Sequence, residues 1–393
     1  MDSMYESKGS VFVSVYTLPI MTAFIIFCIL GFLLVIPWLV YSYRKYGYFS
    51  FWASIVFYSF IFYMLSALFL VLLPLPSTRN TCDFQTPDTI YYSLRPFTFI
   101  SDTFKSSSII WTQPGSYIKI FNQSSFWQAT FNFLLLLPFG VYLRYFFEEK
   151  RYWKRALALG FTLSLFYEVT QLTGIYGIYK CPYRLFDIDD LMLNSTGALF
   201  GFLIAPFILA LFPSREKLMA KAEKMQKIHL VSPLSQLLAI LIDYIFIKLT
   251  FSFTVGLLTS SGFAEMMYTT VGFVVLYFFL PLRWGGKTIG TNIMGFKLSN
   301  LEGDTPSWQA MLKRTIALYL PWLASELVNL LSHIKLEIES HFYAIHVWVT
   351  MAIFIFVIII WFALLIHALI IMAKKGKRTF YFDFVSDIIP MKR

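Results

Sequence analysis

The sequence predicts an all-α, polytopic membrane protein with about nine transmembrane helices. Hydrophobic residues make up 58% of its 393 positions and charged residues only 14%, whereas soluble domains carry about 25% charged residues. Apolar runs of about 20 residues recur along the chain, and each is long enough to cross a bilayer core as a helix. No alternating strand pattern competes with these runs.

The apolar runs define nine predicted spans. The segment before the first, "MDSMYESKGSVFVSVYT", lacks the basic region and small-residue cleavage site of a signal peptide, so we expect the first span to remain attached. The spans lie at about 18–42, 50–73, 126–147, 155–172, 189–212, 233–258, 265–282, 315–332 and 347–372.

The distribution of charge predicts the orientation. A net charge of +10 in a soluble protein would suggest nucleic acid as a partner. Most of the 32 lysines and arginines, however, fall on one side of the predicted spans, which is the inner side if the N-terminus is outside and the C-terminus is cytoplasmic. Membrane lipids, including anionic lipids, are therefore the expected partners, in a multi-pass protein of the bacterial cell membrane, and nucleic acid is not expected.

A basic run divides the chain. "SREKLMAKAEKMQKIHLVSP" is the longest charged stretch between predicted spans. We predict a first membrane domain at 1–217, a basic cytoplasmic linker at 218–232 and a second membrane domain with a basic tail at 233–393. An ordinary cytoplasmic loop within one domain is the alternative.

The long outer segment 74–125 mixes polar residues with the half-apolar "YYSLRPFTFISDTFKSSSIIW". This composition predicts a helix or re-entrant piece on the outer surface of the bilayer, or a plain loop. Cys82 and Cys181 both fall in loops on the predicted outer side, so they are either bonded or two free thiols.

Familiar catalytic and metal motifs are absent from the sequence. "WGGKTIG" ends like a phosphate-binding loop, but the glycine required five residues before Gly286 is Pro281. No HExxH, zinc spacing, GxSxG or GxGxxG motif occurs, so neither a metal nor a cofactor is expected and no catalytic residue is assigned.

The stretch "RLFDIDDLMLNSTGALFG", 184–201, places charge directly before an apolar span. One helical face carries five residues at spacings of 3, 4, 3 and 4: Asp187, Asp190, Asn194, Gly197 and Gly201. Its outer part is polar, and its two glycines form a GxxxG seam that a second helix could approach closely.

Two other predicted spans bring polar residues to the same outer side. "SLFYEVTQ" places Ser164, Glu168 and Gln171 on one face, and a short connection then makes this helix an antiparallel neighbour of the next and brings Arg184 close. The predicted ligand-binding cluster is Asn132, Glu168, Gln171, Arg184, Asp187, Asp190 and Asn194.

Structural explanations remain open for part of this cluster. Asp187 could cap its helix, Asp189 and Asp190 could favour the first turn, and Arg184 could form a surface salt bridge with the aspartates worth about 0–1 kcal/mol. Glu168 is harder to explain in this way, because a charge within a bilayer costs about 2.5–3.5 kcal/mol on insertion scales. We expect the cluster to bind rather than to catalyse, and Asp189 to point away from it.

The first half resembles the VanZ-like family of bacterial membrane proteins over about residues 18–212. The resemblance depends on "RPF" at 95–97, Asn132 with Pro138 to Gly140, the Ser164, Glu168 and Gln171 set, and "RLFDIDDLMLNSTGALFG". It implies a cell-envelope protein of mainly Gram-positive bacteria and an association with resistance to teicoplanin-type glycopeptides. It supplies no reaction.

The second half, about 233–372, resembles the RDD family through "SPLSQLLAILIDYIFI" and "GGKTIGTNIMGFKLSNLEGDTPSWQAMLKRTI". Asp243 fits the aspartate of the family's first helix, but Gln236 stands where its arginine is expected. Asp243 and Lys248 lie about 140° apart around a helix, so each needs another partner.

Three functional hypotheses follow. The first is a binding protein whose outer cluster takes the head group of a lipid, a lipid-linked wall precursor or a lipoglycopeptide. The second is a transporter or flippase in which Asp243 and Glu326 contribute to an ion or substrate path. The third, suggested by the GxxxG seam, is a membrane scaffold subunit.

Overall fold

A computed structural model describes residues 2–107, 119–226, 231–334, 340–373 and 379–392. The chain forms two compact units. One comprises Met1–Val35 and Phe51–Met219, and the other comprises Ile36–Ser50 and Ala220–Arg393. The first helix therefore contributes residues to both units.

The described part of residues 2–226 is almost entirely helical. A short parallel pair joins strand β1 (Tyr92–Ser93) to strand β2 (Phe186–Asp187). The helices are α1 (Asp2–Tyr46), α2 (Phe51–Leu72), α3 (Thr98–Ser107), α4 (Ser124–Leu135), α5 (Leu137–Phe147), α6 (Trp153–Leu172), the single turn α7 (Gly174–Gly177), α8 (Ile188–Leu209) and α9 (Arg215–Gln226).

The second unit is also helical, with one antiparallel strand pair. Strand β3 (Phe296–Ser299) pairs with β4 (Ile389–Lys392), with Phe296 opposite Lys392. A π-helical segment, Val274–Phe279, connects α11 to α12. The helices are α10 (Pro233–Phe253), α11 (Gly262–Phe273), α12 (Leu280–Arg283), α13 (Ile289–Met294), α14 (Trp308–Ser332), α15 (Tyr343–Ala373) and α16 (Tyr381–Ser386).

The described residues contain eight helical stretches that are long and apolar enough to cross a membrane, so the all-α membrane class is confirmed. Their lipid-accessible character is clear at Phe207, whose side chain is 82% exposed, as expected where lipid rather than water covers the protein. The stretches are Pro19–Tyr46, Phe51–Leu72, Ser124–Phe147, Ile188–Leu209, Pro233–Leu257, Gly262–Arg283, Trp308–Ser332 and Tyr343–Ala373.

The predicted span at 155–172 is not among these eight apolar stretches. Those residues form α6, which is helical but is less apolar because it carries Glu168 and Gln171 on a buried face. Its 20 residues nevertheless extend about 30 Å, the thickness of a bilayer core. Helix α6 packs lengthwise against α8, so neighbouring helices cover its polar face.

The outer segment 74–125 contains a short 3-10 turn at Thr81–Phe84, strand β1 and helix α3. It is therefore neither a single helix nor a plain loop in its described part. The stretch 108–118 of this prediction lies outside the described residues, as does 227–230 of the predicted linker.

Glycines of α8 and α6 let three helices pack closely against α8. A Cβ at Gly197 would lie 1.9 Å from the Phe133 carbonyl oxygen, and one at Gly201 would lie 1.9 Å from that of Leu137. A Cβ at Gly160 of α6 would lie 2.6 Å from the Ala198 Cβ. The seam thus brings α4 and α5 into backbone contact with α8, while α6 packs beside them.

Candidate functional site

One cavity in the first unit brings the predicted cluster together. Its volume is about 1200 Å³. Helices α2, α4, α6 and α8 contribute to its wall, together with the connections after α2 and before α8. All seven residues of the predicted cluster line it: Asn132, Glu168, Gln171, Arg184, Asp187, Asp190 and Asn194.

Asp190 and Asn132 connect α8 to α4 at the cavity. Asp190 lies in the first turn of α8, where the helix dipole favours a negative charge. The side-chain amide of Asn132 donates a hydrogen bond from Nδ2 to Asp190 Oδ1. The other carboxylate oxygen, Asp190 Oδ2, accepts no hydrogen bond from the described residues.

Glu168 and Gln171 are buried on the inner face of α6. Glu168 Oε2 accepts a hydrogen bond from the backbone N–H of Asp187 at 3.1 Å. Gln171 donates from Nε2 to the carbonyl oxygen of Val71, in the last turn of α2, at 2.7 Å. These two side chains therefore hold α6 against the start of α8 and the end of α2.

Asn194 lies one turn deeper on α8 than Asp190. Its side-chain Nδ2 donates to Ser164 Oγ at 2.9 Å, and both residues are buried. The Asn194 Oδ1 atom and the Tyr167 hydroxyl are buried without a hydrogen-bond partner among the described residues. Buried polar atoms are nearly always paired in folded proteins, so these two are unusual.

Arg184 lines the cavity but does not form the salt bridge considered from the sequence. Its guanidinium donates a hydrogen bond to the Leu73 carbonyl oxygen at 3.2 Å and is exposed. Within the described part of the chain it lies within 4 Å of no carboxylate oxygen. Its remaining N–H groups are available to a ligand.

Asp187 combines a structural role with a place in the cavity wall. It is the N-cap of α8, and its Oδ1 accepts a hydrogen bond from the Asp189 N–H at 3.0 Å. Burial raises the pKa of the Asp187 carboxyl above its ordinary value, and the hydrogen bond from Asp189 opposes this shift.

Asp189 points away from the cavity and anchors the outer segment. Its two carboxylate oxygens accept hydrogen bonds from Phe97 N–H at 2.6 Å, the Thr98 hydroxyl at 2.6 Å and Phe99 N–H at 3.1 Å. It therefore satisfies N–H groups at the start of α3, which have no partner within that helix. This contact places the "RPF" stretch directly beside the start of α8.

A disulfide fastens the outer segment to the connection before α8. Cys82 and Cys181 are bonded, with Cα atoms 5.2 Å apart. Thr81 strengthens the same junction, since its hydroxyl donates to the Cys181 carbonyl oxygen at 2.6 Å and accepts from the Cys181 N–H at 3.0 Å. The question left open by the sequence is thus answered in favour of the bond.

We expect reduction of this disulfide to loosen the outer segment. The bond closes a loop across 99 positions, and such bonds contribute about 2–4 kcal/mol. Limited proteolysis with and without a dithiol should show faster cleavage within 79–97 after reduction, and a Cys28→Ser variant should behave like the parent. Equal cleavage rates in both states would contradict this role.

The sequence prediction missed several residues of the cavity wall. Tyr167 lies three positions after Ser164, so the same helical spacing that identified Glu168 could have found it. The apolar part of the wall carries no such signal, because apolar residues of a membrane helix can equally face lipid. It includes Ile20, Tyr63, Leu70, Val71, Phe121, Trp127, Phe131, Leu134 and Leu135.

In the second unit, Asp243 is buried and both of its oxygens are hydrogen-bonded. They accept from the Thr288 hydroxyl at 2.6 Å and the Gly290 N–H at 2.6 Å. The Asp243 carboxylate thus occupies the start of α13, the position that a phosphate would take if "GGKT" were a phosphate-binding loop. Asp243 and Lys248 have separate partners, as expected, because Lys248 pairs with Glu265 at 2.8 Å.

Glu326 is half-buried on α14 and makes no hydrogen bond with the described residues. No group of three or more His, Cys, Asp or Glu side chains in the described ranges is arranged to hold a metal ion.

Comparison with known families divides the chain into two matched segments. Residues 60–210 match the family model described as VanZ/LLP1. Residues 228–387 match the model of the RDD family. The two matches follow one another in the order predicted from the sequence. No curated protein and no solved structure matches the chain.

Proposed function

Since the chain joins a VanZ-like segment to an RDD-family segment and is a multi-pass membrane protein of the cell envelope, we propose that its first unit binds the head group of an amphiphilic ligand. The ligand classes are a membrane lipid, a lipid-linked wall precursor and a lipoglycopeptide. By binding a lipoglycopeptide, the protein would contribute to teicoplanin-type resistance.

The observation that carries the proposal is the composition of the cavity wall. Seven polar residues from separate parts of the first unit line one region, and apolar side chains such as Leu70, Phe131 and Leu134 line the rest. An amphiphile has the same two parts, so its head group pairs with the polar wall while its chain packs against the apolar wall. Pockets of about 300–1,000 Å³ hold small ligands, and this cavity, at about 1200 Å³, is somewhat larger.

Two features support an outer location for the cavity. The basic residues favour an outer N-terminus, which places the polar ends of α6 and α8 outside. The Cys82–Cys181 bond adjoins the cavity through the connection that carries Arg184, and disulfides persist on the oxidising side of a bacterial membrane.

The two other hypotheses have less support. Transport through Asp243 is not favoured, because its carboxylate is buried and already accepts two hydrogen bonds within the unit. A scaffold role was suggested by the glycine seam. Gly197 and Gly201, however, already pack against α4 and α5 of the same chain, so this seam is not free for a partner.

Alanine at Glu168 or Asp190 tests the proposal. We expect each variant to bind fluorescent lipid, lipid-linked precursor or lipoglycopeptide at least about tenfold more weakly in nanodiscs, because a charge-assisted hydrogen bond contributes about 1.5–3 kcal/mol. Drug susceptibility of cells expressing each variant should rise in parallel.

Asp88→Ala is the matched control, since Asp88 is an exposed carboxylate outside the cavity wall. It should bind like the parent protein. If Glu168→Ala and Asp190→Ala insert normally and retain both binding and resistance, the cavity is not the binding site.

A further inference from the structure

We propose that the head group taken by this cavity is a glycosyl group, recognised through its hydroxyls. The inference rests on the proposed function and specifies the ligand class of the same site. It follows from the direction of the hydrogen bonds around Glu168 and Asp190, which leave a group of acceptor oxygens available.

The three amide side chains closest in the structure to Glu168, Asp190 and Ser164 use their nitrogen within the protein. Asn132 donates to the Asp190 carboxylate, Gln171 donates to the Val71 carbonyl oxygen and Asn194 donates to Ser164. A carboxylate and a carbonyl oxygen can only accept, so the orientations of Asn132 and Gln171 are fixed by their partners. Each amide oxygen is left without a hydrogen bond from the described residues.

The carboxylates add to this set of acceptors. Glu168 Oε1 and Asp190 Oδ2 accept no hydrogen bond from the described residues, while their other oxygens are paired. Asn194 Oδ1 is fully buried without a partner, although Asn194 lines the cavity and is only 3% exposed. A buried acceptor without a partner is unfavourable, and a ligand that donates to it removes this penalty.

A phosphate head group does not fit this arrangement. Its oxygens are acceptors, and they would face the unpaired acceptor oxygens of Glu168, Asp190 and the three amides. Arg184 retains N–H groups that a phosphate could use, but its exposed guanidinium lies more than 4 Å from the carboxylate oxygens of this acceptor set.

A simple ammonium group is also a poor match, because it carries at most three N–H donors on one small centre. The cavity instead spreads five acceptor oxygens over a space of about 1200 Å³. A sugar ring presents several hydroxyl donors at comparable spacing. It also has an apolar face, for which the Trp127 and Phe131 rings, stacked with centroids 5.7 Å apart, provide an aromatic surface in the same wall.

The test compares three lipids that share the same acyl chains: a monoglycosyl diacylglycerol, phosphatidylglycerol and phosphatidylethanolamine. Each is titrated against the full-length protein in nanodiscs. We expect the glycosyl lipid to bind at least about tenfold more tightly than either phospholipid. Equal or tighter binding of a phospholipid overturns the glycosyl assignment but leaves the proposed function standing. If the Glu168→Ala variant binds all three lipids as tightly as the parent does, both the glycosyl assignment and the binding of lipid head groups at this cavity are overturned.

Asp190→Asn tests the acceptor argument within the same assay. The substitution keeps the shape of the side chain but replaces a carboxylate acceptor by an amide that can donate. We expect it to reduce the preference for the glycosyl lipid about tenfold, while Asp88→Asn leaves that preference unchanged. An undiminished preference in Asp190→Asn overturns the assignment.

Discussion

Alanine at Gly197 or Gly201 is expected to destabilise the first unit by about 3 kcal/mol, at the upper end of the range for overpacked cores. The added Cβ would lie 1.9 Å from a backbone carbonyl oxygen of α4 or α5. A backbone atom cannot rotate away as a side chain can, so the helices must separate and the cavity wall must open. Thermal unfolding in detergent and the yield of folded protein measure the effect.

Gly31→Ala is the matched control, because Gly31 also lies within a long helix of the first unit. A Cβ there would lie 3.9 Å from the nearest atom, the Tyr58 ring, which is ordinary contact. Since alanine favours helix more than glycine does, this variant should be as stable as the parent or more so. Equal stability of Gly197→Ala and Gly31→Ala would show that the seam does not hold α8 against α4 and α5.

Methionine at Arg314 is expected to destabilise the second unit by about 3–5 kcal/mol, because it leaves a buried carboxylate without its partner. Arg314 Nε donates to Asp383 Oδ1 at 2.8 Å, and both side chains are almost fully buried between α14 and α16. The guanidinium also lies 5.2 Å from the Phe382 ring centroid. Chemical or thermal unfolding followed by a probe in the second unit measures the loss.

The double variant Arg314→Met with Asp383→Leu should recover most of the lost stability, since a well-packed apolar pair can replace a buried ion pair. Arg283→Met, which removes an exposed arginine of the same unit, should change little. If Arg314→Met is as mild as Arg283→Met, or if the double variant is no better than the single, the ion pair does not fasten α16 to α14.

Helical spacing was enough to predict the polar face of the site. The intervals that join Glu168 to Gln171 and Asp190 to Asn194 reflect only the 3.6-residue turn, which the structure preserves. The antiparallel placement of these helices followed from their short connection. Helical spacing and the short connection were therefore sufficient to predict which residues form the cluster.

The partners of these side chains could not be predicted, because they come from distant segments. Gln171 bonds to Val71, 100 positions away, and Asp189 bonds to Phe97, 92 positions away. Such contacts depend on how α2 and the outer segment pack against α6 and α8, and no periodic pattern encodes this. The same applies to Arg314 and Asp383, which are separated by 69 positions.

The lower hydropathy of α6 has a related cause. Hydropathy measures how well a helix suits lipid, but α6 is covered by neighbouring helices, and its inner face is polar where it forms the site. Helix α6 is long enough to cross a bilayer, but it is less apolar than the other long helices. Glu168 and Gln171, which lower its hydropathy together with Lys154 and Arg155 at its start, line the cavity.

The most direct test of the binding account is an experimental structure of the full-length protein in nanodiscs that contain the monoglycosyl diacylglycerol. We expect density for the head group within hydrogen-bond distance of Glu168, Asp190 and Asn194, with an acyl chain along Phe131 and Leu134. A well-resolved cavity that holds only water, while the glycosyl lipid lies elsewhere on the protein, would contradict the account.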